Sequence, residues 1–225
     1  APPPASSAKG SARSDPDPAP PVCYDLEQLD RAPVQNATKV EPFEIMDGLY
    51  YVGNHGLEIQ DPSGAVWVHP QARALMKRIK SVSHDISKEL KALPGVFIED
   101  KGLSLAVHYR AMPRWLSTRP IHEIVAERLS AEPKLRLSAG KKVWEIRPKL
   151  RWNKGYALKR ILRLRPGWSI AFIGDDATDE EGFETLGVAA LTVRVGRAKD
   201  SAARFSLTHQ RQVHGFLEYL YRKWK

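Results

Sequence analysis

Residues 170 to 181 read Ile-Ala-Phe-Ile-Gly-Asp-Asp-Ala-Thr-Asp-Glu-Glu, so an apolar run leads directly into a group of carboxylates. A short apolar run that ends at glycine is typical of a buried strand. Carboxylate oxygens are ligands that Mg²⁺ prefers, and ligand sites in open α/β sheets lie at the carboxyl ends of the strands. The stretch therefore predicts a divalent cation site after a strand. The alternative is that the acids only complement the dipole of the following helix.

A helix is expected to begin within the same stretch. Thr178 and Glu181 have the spacing of a capping box, in which the hydroxyl and the carboxylate each satisfy a free backbone N–H group. Gly187 is placed to end this helix, because glycine readily adopts the backbone conformation that follows a helix C-terminus.

The residues on either side of this stretch alternate between helix and strand. A helix that Asn153 can cap precedes it, and a strand at 191–195 and a final amphipathic helix at about 213–224 follow it. Such alternation predicts a parallel, doubly wound sheet. Two further strands are predicted near the start, at 49–53 and 57–60.

The middle of the chain has a different pattern. A long amphipathic helix ends at Pro94-Gly95, and a hairpin follows at 96–100 and 103–110. A second helix around residues 121–129 and two more strands complete this part. Helices beside a hairpin-built sheet predict an α+β unit.

Composition limits the class of protein. The 225 residues are 42% hydrophobic and contain one cysteine, Cys23, which excludes an internal disulfide framework and favours a reducing compartment, so we expect the cytoplasm. The net charge of +9 comes from scattered basic residues without a nucleic-acid-binding motif. No apolar run is long enough to span a bilayer. Neither nucleic acid nor membrane is therefore expected as a partner.

The N-terminal segment predicts no packed structure. Residues 1–21 are rich in Pro, Ala and Ser, a composition typical of disorder, and the residues up to 46 show no reliable period. We therefore interpret residues 1–46 as a disordered or aberrant segment.

Four stretches in matching order and spacing carry a resemblance to a known family. Besides 170–181, they are 51–58 (YVGNHGLE), 98–110 (IEDKGLSLAVHYR) and 143–148 (VWEIRP) followed by 153–155 (NKG). Together they resemble the trehalose-6-phosphate phosphatases of the haloacid dehalogenase superfamily, over about residues 48–222. The resemblance implies an α/β fold, in which a doubly wound parallel sheet core (47–72 and 149–225) carries an inserted α+β cap (73–148).

The resemblance also implies an activity and roles for particular side chains. The activity is the Mg²⁺-dependent conversion of trehalose 6-phosphate to trehalose, and an association with trehalose-phosphate synthase stays open. Asp175 is the first candidate for a metal ligand, with Asp176 and Asp179 as secondary candidates, and Lys154 would neutralise the phosphoryl group. The candidates for sugar binding are Glu99, Lys101, Glu145, Arg147, Asn54 and His55.

Each of these side chains also has a simpler interpretation. Taken alone, Lys154 would be a surface lysine, because lysines are mostly exposed. Glu99 and Lys101 would form an exposed hairpin ion pair of little energetic value. A lone histidine such as His55 is more often structural than functional.

The family's nucleophile motif, Asp-x-Asp-Gly-Thr after an apolar strand, does not occur in these residues. The one Asp-x-Asp, Asp15-Pro16-Asp17, neither follows a strand nor precedes Gly-Thr, and no Ser/Thr-Gly-Arg motif lies before Gly48. We therefore expect a fragment or a shifted reading frame, and predict no turnover by this chain. Two alternatives stay open: a non-catalytic relic that binds a sugar phosphate or acts as a regulatory partner in the trehalose pathway, and a phosphatase of the same superfamily for another sugar phosphate.

Overall fold

The computed structural model describes residues 23–25 and 48–223. The strands are β1 (Cys23–Asp25), β2 (Tyr50–Gly53), β3 (Glu58–Gln60), β4 (Val66–Val68), β5 (Phe97–Asp100), β6 (Leu105–His108), β7 (Leu135–Gly140), β8 (Val143–Pro148), β9 (Ala171–Gly174), β10 (Leu191–Val195) and β11 (Phe205–Leu207). The longer helices are α1 (Pro70–Leu90), α2 (Arg119–Ser130), α3 (Lys154–Leu164), α4 (Ala177–Leu186) and α5 (Gln212–Lys223). Short 3-10 turns follow β2, at Asn54–Gly56, and α4, at Gly187–Ala189.

The parallel part of the fold contains the stretch with the carboxylates. β9 pairs in parallel with β10, and β10 pairs in parallel with β11. β1 and β2 form a second parallel pair, to which β3 and β4 add in antiparallel orientation. α3 packs beside α4 at the end of β9. The predicted alternation of strands and helices after residue 148 is thus confirmed.

The middle of the chain forms an antiparallel sheet in the order β5-β6-β8-β7. α1 and α2 cover it and bury a common apolar cluster, because their apolar residues recur at helical spacing. Seven of these side chains are fully buried: Ile79, Ile86, Leu105, Val107, Ile121, Val125 and Ile146. Burying each contributes roughly 1.5–3 kcal/mol, so this unit is stabilised by its own hydrophobic cluster. We call it the cap and the remainder the core; the domain boundaries at residues 73 and 148 stay predictions.

The first turn of α4 differs from the predicted one. Asp176, not Thr178, is the N-cap residue: its side chain accepts hydrogen bonds from the backbone N–H groups of Thr178 and Asp179. Asp179 closes the capping box in place of Glu181. The predicted Thr178–Glu181 box is wrong because the helix begins at Ala177, after the extended residue Asp176, so that Thr178 already lies inside the first turn. Gly187 ends the helix, as predicted.

Three strands of three residues each, β1, β4 and β11, are not predicted from the sequence. Segments of this length are too short to display a period of two. The other residues of the predicted N-terminal segment lie outside the described residues. Within the described part of the chain, no helix is both long and apolar enough to cross a membrane.

Candidate active site

Asp179 organises the loop between β9 and α4. Its Oδ2 atom accepts hydrogen bonds from the backbone N–H groups of Asp175, at 2.9 Å, and Asp176, at 3.0 Å. The carboxylate can fold back this far because Gly174 has no side chain: a Cβ atom there would lie 2.4 Å from Cγ of Asp179. Asp179 is buried, with 2% of its surface exposed. Both of its neighbours in the acidic loop are therefore held by one carboxylate.

Asp176 performs the second structural task in this loop. Its Oδ1 atom accepts hydrogen bonds from the Thr178 N–H and hydroxyl groups, at 2.7 and 2.8 Å, and from the Asp179 N–H group at 3.0 Å. Burial raises its pKa, but the nearby Lys154 ammonium and these hydrogen bonds outweigh burial, so the pKa lies below its ordinary value. Asp176 is therefore ionised at neutral pH and caps the helix.

Lys154 reaches the same loop from the start of α3. The lysine is buried, and its Nζ atom donates a hydrogen bond of 3.1 Å to Oδ1 of Asp179. Burial raises the pKa of Asp179 and, with the charge of Asp176, outweighs the effect of the Lys154 ammonium. The interpretation of Lys154 as a surface lysine is thus wrong. Its ammonium group is a buried cation at this site.

A close approach of two helices places Lys154. A Cβ atom at Gly155 would lie 2.7 Å from Cβ of Thr185 and 2.9 Å from the carbonyl oxygen of Gly182. Asn153 caps α3 through its Oδ1 atom, and its Nδ2 atom donates to the carbonyl oxygen of Glu181, at 3.0 Å, and to the Thr185 hydroxyl, at 2.8 Å. The first turn of α3 is therefore fixed against α4.

The three candidate metal ligands are not equivalent. Oδ2 of Asp179 and Oδ1 of Asp176 accept hydrogen bonds from within the loop, and Oδ1 of Asp179 accepts one from Lys154 on α3. Asp175, in contrast, is exposed at the end of β9. The described residues contain no group of three or more His, Cys, Asp and Glu side chains arranged for a metal ion. Mg²⁺ in proteins often takes only one or two carboxylates and completes its shell with water and substrate phosphate. The donor set fits such an ion, and Asp175 stays the first candidate for its ligand.

In the cap, the structure brings Glu99 and Lys101 together at the end of β5. The Nζ atom of Lys101 lies 3.9 Å from Oε2 of Glu99, and Nε2 of His108 lies 2.8 Å from the same oxygen. All three side chains are between one-fifth and two-fifths exposed. They form a polar group that can contact hydroxyl groups of a ligand, and His108 is a member that sequence reasoning missed.

Asn54 and His55 lie at the contact between core and cap. Both have left-handed backbone conformations, with φ angles of 48° and 57°. Asn54 donates from Nδ2 to the carbonyl oxygen of Lys101 at 3.3 Å, and its Oδ1 atom accepts from the Ser104 hydroxyl at 2.7 Å. Nε2 of His55 lies 2.8 Å from Oε2 of Glu145 on β8. These two residues therefore join the end of β2 to the loop between β5 and β6 and to β8 of the cap.

Glu145 is held as an anion in this contact. Burial raises its pKa, but the hydrogen bond from His55 and the positive charges of His55, Lys101 and Arg147 bring the pKa below its ordinary value. Of the predicted sugar-binding residues, Lys101, Glu145 and Arg147 are thus close enough to influence one another electrostatically.

Arg147 makes a further contact between cap and core. Its Nη2 atom donates to Oε1 of Glu181 on α4 at 2.7 Å, and Nη2 of Arg136 lies 3.5 Å from Oε2 of the same carboxylate. Arg136 faces Arg147 on the neighbouring strand β7. Sequence reasoning missed Arg136 and Glu181 as partners, because only the strand register and the docking of the cap place them together.

Comparisons with known proteins bear on this geometry. The trehalose-phosphatase family profile matches residues 35–211, more than half of the chain. The chain belongs to the trehalose-phosphatase family. It is 34% identical over 209 residues to trehalose-phosphate phosphatase B of Arabidopsis thaliana, a match that covers 83% of this chain and 54% of the relative.

Other members of the family show similar sequence identity and coverage. Trehalose 6-phosphate phosphatase RA3 of Zea mays is 32% identical over 207 residues, covering 82% of this chain and 56% of the relative. Trehalose-phosphate phosphatase of Mycobacterium tuberculosis H37Rv is 31% identical over 189 residues, covering 79% of this chain and 47% of the relative. The chain thus spans about half the length of these curated relatives.

Solved structures support the fold. The C-terminal domain of Candida albicans trehalose-6-phosphate phosphatase has a TM-score of 0.57 and 25% identity, with 77% of this chain and 70% of that chain covered. A trehalose-6-phosphate phosphatase related protein has a TM-score of 0.65 and 24% identity, with 79% of this chain and 75% of that chain covered. The α/β fold implied by the sequence resemblance is therefore confirmed.

Proposed function

We propose that this chain supplies the metal-binding, lysine and cap components of a Mg²⁺-dependent phosphatase that converts trehalose 6-phosphate to trehalose. The observation that carries the proposal is the buried contact between Lys154 and Asp179, at 3.1 Å, in the loop that also presents Asp175. A buried lysine beside carboxylates at a strand end suits the binding of a phosphoryl group and a cation together.

The residues would divide the work of binding. Mg²⁺, when bound at Asp175, would supply charge neutralisation to the phosphoryl oxygens. Lys154 would donate hydrogen bonds to the same oxygens, while Asp179 holds its ammonium in position. Glu99, Lys101 and Glu145 would bind sugar hydroxyl groups from the cap side, because hydroxyl groups can both donate to carboxylates and accept from an ammonium.

The cap would also exclude water from the reacting group. The contacts of Asn54 with Lys101 and Ser104, and of His55 with Glu145, place the cap residues over the end of β2. For Arg147, its contact with Glu181 supports a role in positioning the cap instead of the predicted contact with the sugar.

Turnover requires a nucleophile, and the sequence contains no Asp-x-Asp-Gly-Thr motif. This observation favours a second candidate function, in which the chain binds the sugar phosphate without hydrolysing it. The fold itself also occurs in a protein described as the Candida albicans trehalose synthase regulatory protein, at 11% identity and a TM-score of 0.55. An association with trehalose-phosphate synthase, and a cytoplasmic location, complete the proposal.

Calorimetric titration of trehalose 6-phosphate into the chain with Mg²⁺ tests the proposal. We expect saturable binding that Lys154→Met weakens by about tenfold or more, since a hydrogen bond to a charged group contributes roughly 1.5–3 kcal/mol. Lys149→Met, an exposed lysine nearby, is the matched control and should bind like the wild type. Absence of binding, or equal weakening by both variants, would refute the assignment of the site.

A phosphate-release assay on the same samples separates the two candidates. Without the nucleophile motif we expect no Mg²⁺-dependent release of phosphate from trehalose 6-phosphate. Release that is abolished by Asp175→Asn would instead show that the chain is a complete catalyst.

A further inference from the structure

A polar cavity lies outside the site described above. It has a volume of about 600 Å³ and is formed by the connection between β10 and β11 together with residues of both strands. This volume falls within the range of pockets that bind small molecules. Its lining includes four basic residues, Arg194, Arg197, Lys199 and Arg204.

The positive charge of this cavity is largely uncompensated. Within the described residues, Arg194 forms an ion pair with Glu180, at 3.1 Å, whereas Arg197, Lys199 and Arg204 form none. No carboxylate belongs to the lining. Three cations in one lining without a paired carboxylate repel one another, and a bound anion would reduce that repulsion.

Asp200, which lies in the loop itself, does not belong to the lining, and Glu180 on α4 is already engaged. Glu180 accepts hydrogen bonds from the Ser201 hydroxyl at 2.9 Å and from the Ala202 N–H group at 2.8 Å, in addition to its pair with Arg194. These bonds fasten the connection between β10 and β11 to α4. The basic side chains are therefore presented by a loop whose base is fixed.

The chemistry of the lining selects the kind of anion. Guanidinium groups bind phosphate oxygens through two parallel hydrogen bonds, and lysine adds a point charge. Ser201, Ser206 and Thr208 contribute hydroxyl groups to the same lining. We propose that this cavity binds a small multivalent phosphate anion, at a site separate from Lys154.

The site is connected to the acidic loop by one side chain. Nη1 of Arg194 donates to the backbone carbonyl oxygen of Asp176 at 2.8 Å and also contacts Glu180. An anion in the cavity would compete with Glu180 for Arg194 and so alter the support of Asp176. Occupation of the cavity would thereby regulate the proposed metal site; only this last step depends on the proposed phosphatase function.

The test is a calorimetric titration of inorganic tripolyphosphate into the full chain without Mg²⁺. We expect one saturable site that the triple variant Arg197→Gln, Lys199→Gln, Arg204→Gln weakens by at least about tenfold, since each lost charged hydrogen bond is worth roughly that factor. The control is Lys77→Gln, Lys80→Gln, Lys88→Gln, which removes the same charge from exposed positions of α1. It should bind nearly like the wild type.

Other outcomes overturn the proposal. Equal weakening by both triple variants would mean attraction by net charge alone. Loss of tripolyphosphate binding in Lys154→Met, with no effect of the cavity variant, would place the anion at the proposed catalytic lysine. Tighter binding of an acidic peptide that competes with tripolyphosphate would make the cavity a protein-docking site. None of these measurements requires turnover, so a failure of the phosphatase assignment would leave their result unchanged.

Discussion

Replacing Glu181 by alanine would test whether this residue holds the cap against the core. Side-chain exposure is 5% for Arg147 and 35% for Glu181, and Nη2 and Oε1 lie 2.7 Å apart. Breaking a fully buried ion pair costs about 3–5 kcal/mol, and an exposed pair contributes about 0–1 kcal/mol. Because Glu181 retains contact with solvent, we expect a loss of about 2 kcal/mol in the free energy of unfolding.

Urea unfolding followed by tryptophan fluorescence would measure this loss. Glu184→Ala is the matched control, because Glu184 lies on the same helix, is exposed and undergoes the same change in helix propensity. Hydrogen exchange adds a local measurement: amide groups of β7 and β8 should exchange faster in Glu181→Ala and not in the control.

Two results would refute this reasoning. One is a free energy of unfolding for Glu181→Ala within about 0.5 kcal/mol of the control, the usual range for surface substitutions. The other is a double-mutant cycle with Arg147→Met in which the two losses add within about 0.5 kcal/mol, because residues in contact should be coupled.

Three further predictions concern the site itself. The lowered pKa of Glu145 means that its ionised form stabilises the fold above the ordinary value of 4.5 and that this contribution disappears as pH falls through the folded-state value. The difference in unfolding free energy between the wild type and Glu145→Gln should therefore stay constant above about pH 5 and shrink as pH is lowered from about 5 to about 2, and an unchanged difference over that range would contradict the contact with His55. Gly174→Ala should cost about 1–3 kcal/mol in the free energy of unfolding, because its Cβ atom would lie 2.4 Å from Cγ of Asp179; an unchanged urea midpoint would show that the loop can yield. Asp175→Asn should weaken Mg²⁺ binding in calorimetry by about tenfold while leaving thermal stability within about 1 kcal/mol, since Asp175 is exposed; retained Mg²⁺ affinity would remove it as a ligand.

Much of the fold follows from local patterns. The apolar run before Gly174, the strand at 191–195 and the hairpin of the cap are visible in the sequence because period and turn residues act over a few positions. The short strands β4 and β11 are not, because three residues display no period and pair only where neighbouring strands offer free edges. The capping box was predicted two residues too late because both Asp176 and Thr178 are residue types that cap helices, and spacing alone does not show at which of them the helix begins.

The candidate site also contains features that the sequence predicts and features that only the structure shows. Residue types and spacing predict three features whose members lie close together along the chain. They are the acidic loop, the N-cap residue Asn153 of α3, and the pairing of Glu99 with Lys101. Lys154 illustrates the limit, because sequence alone favours an exposed lysine, and the glycine-mediated approach of α3 to α4 buries it against Asp179.

The sequence alone identified the acidic strand end, the order of its elements and the family, because these depend on neighbouring residues and on motif spacing. Only the tertiary structure revealed that the Asp179 carboxylate accepts hydrogen bonds from two backbone N–H groups and from Lys154, and that Arg147 donates to Glu181. The physical reason is that a charged side chain serves whichever partner packing brings within hydrogen-bond reach. Those partners lie 25 and 34 residues away along the chain, for Lys154 with Asp179 and Arg147 with Glu181, respectively.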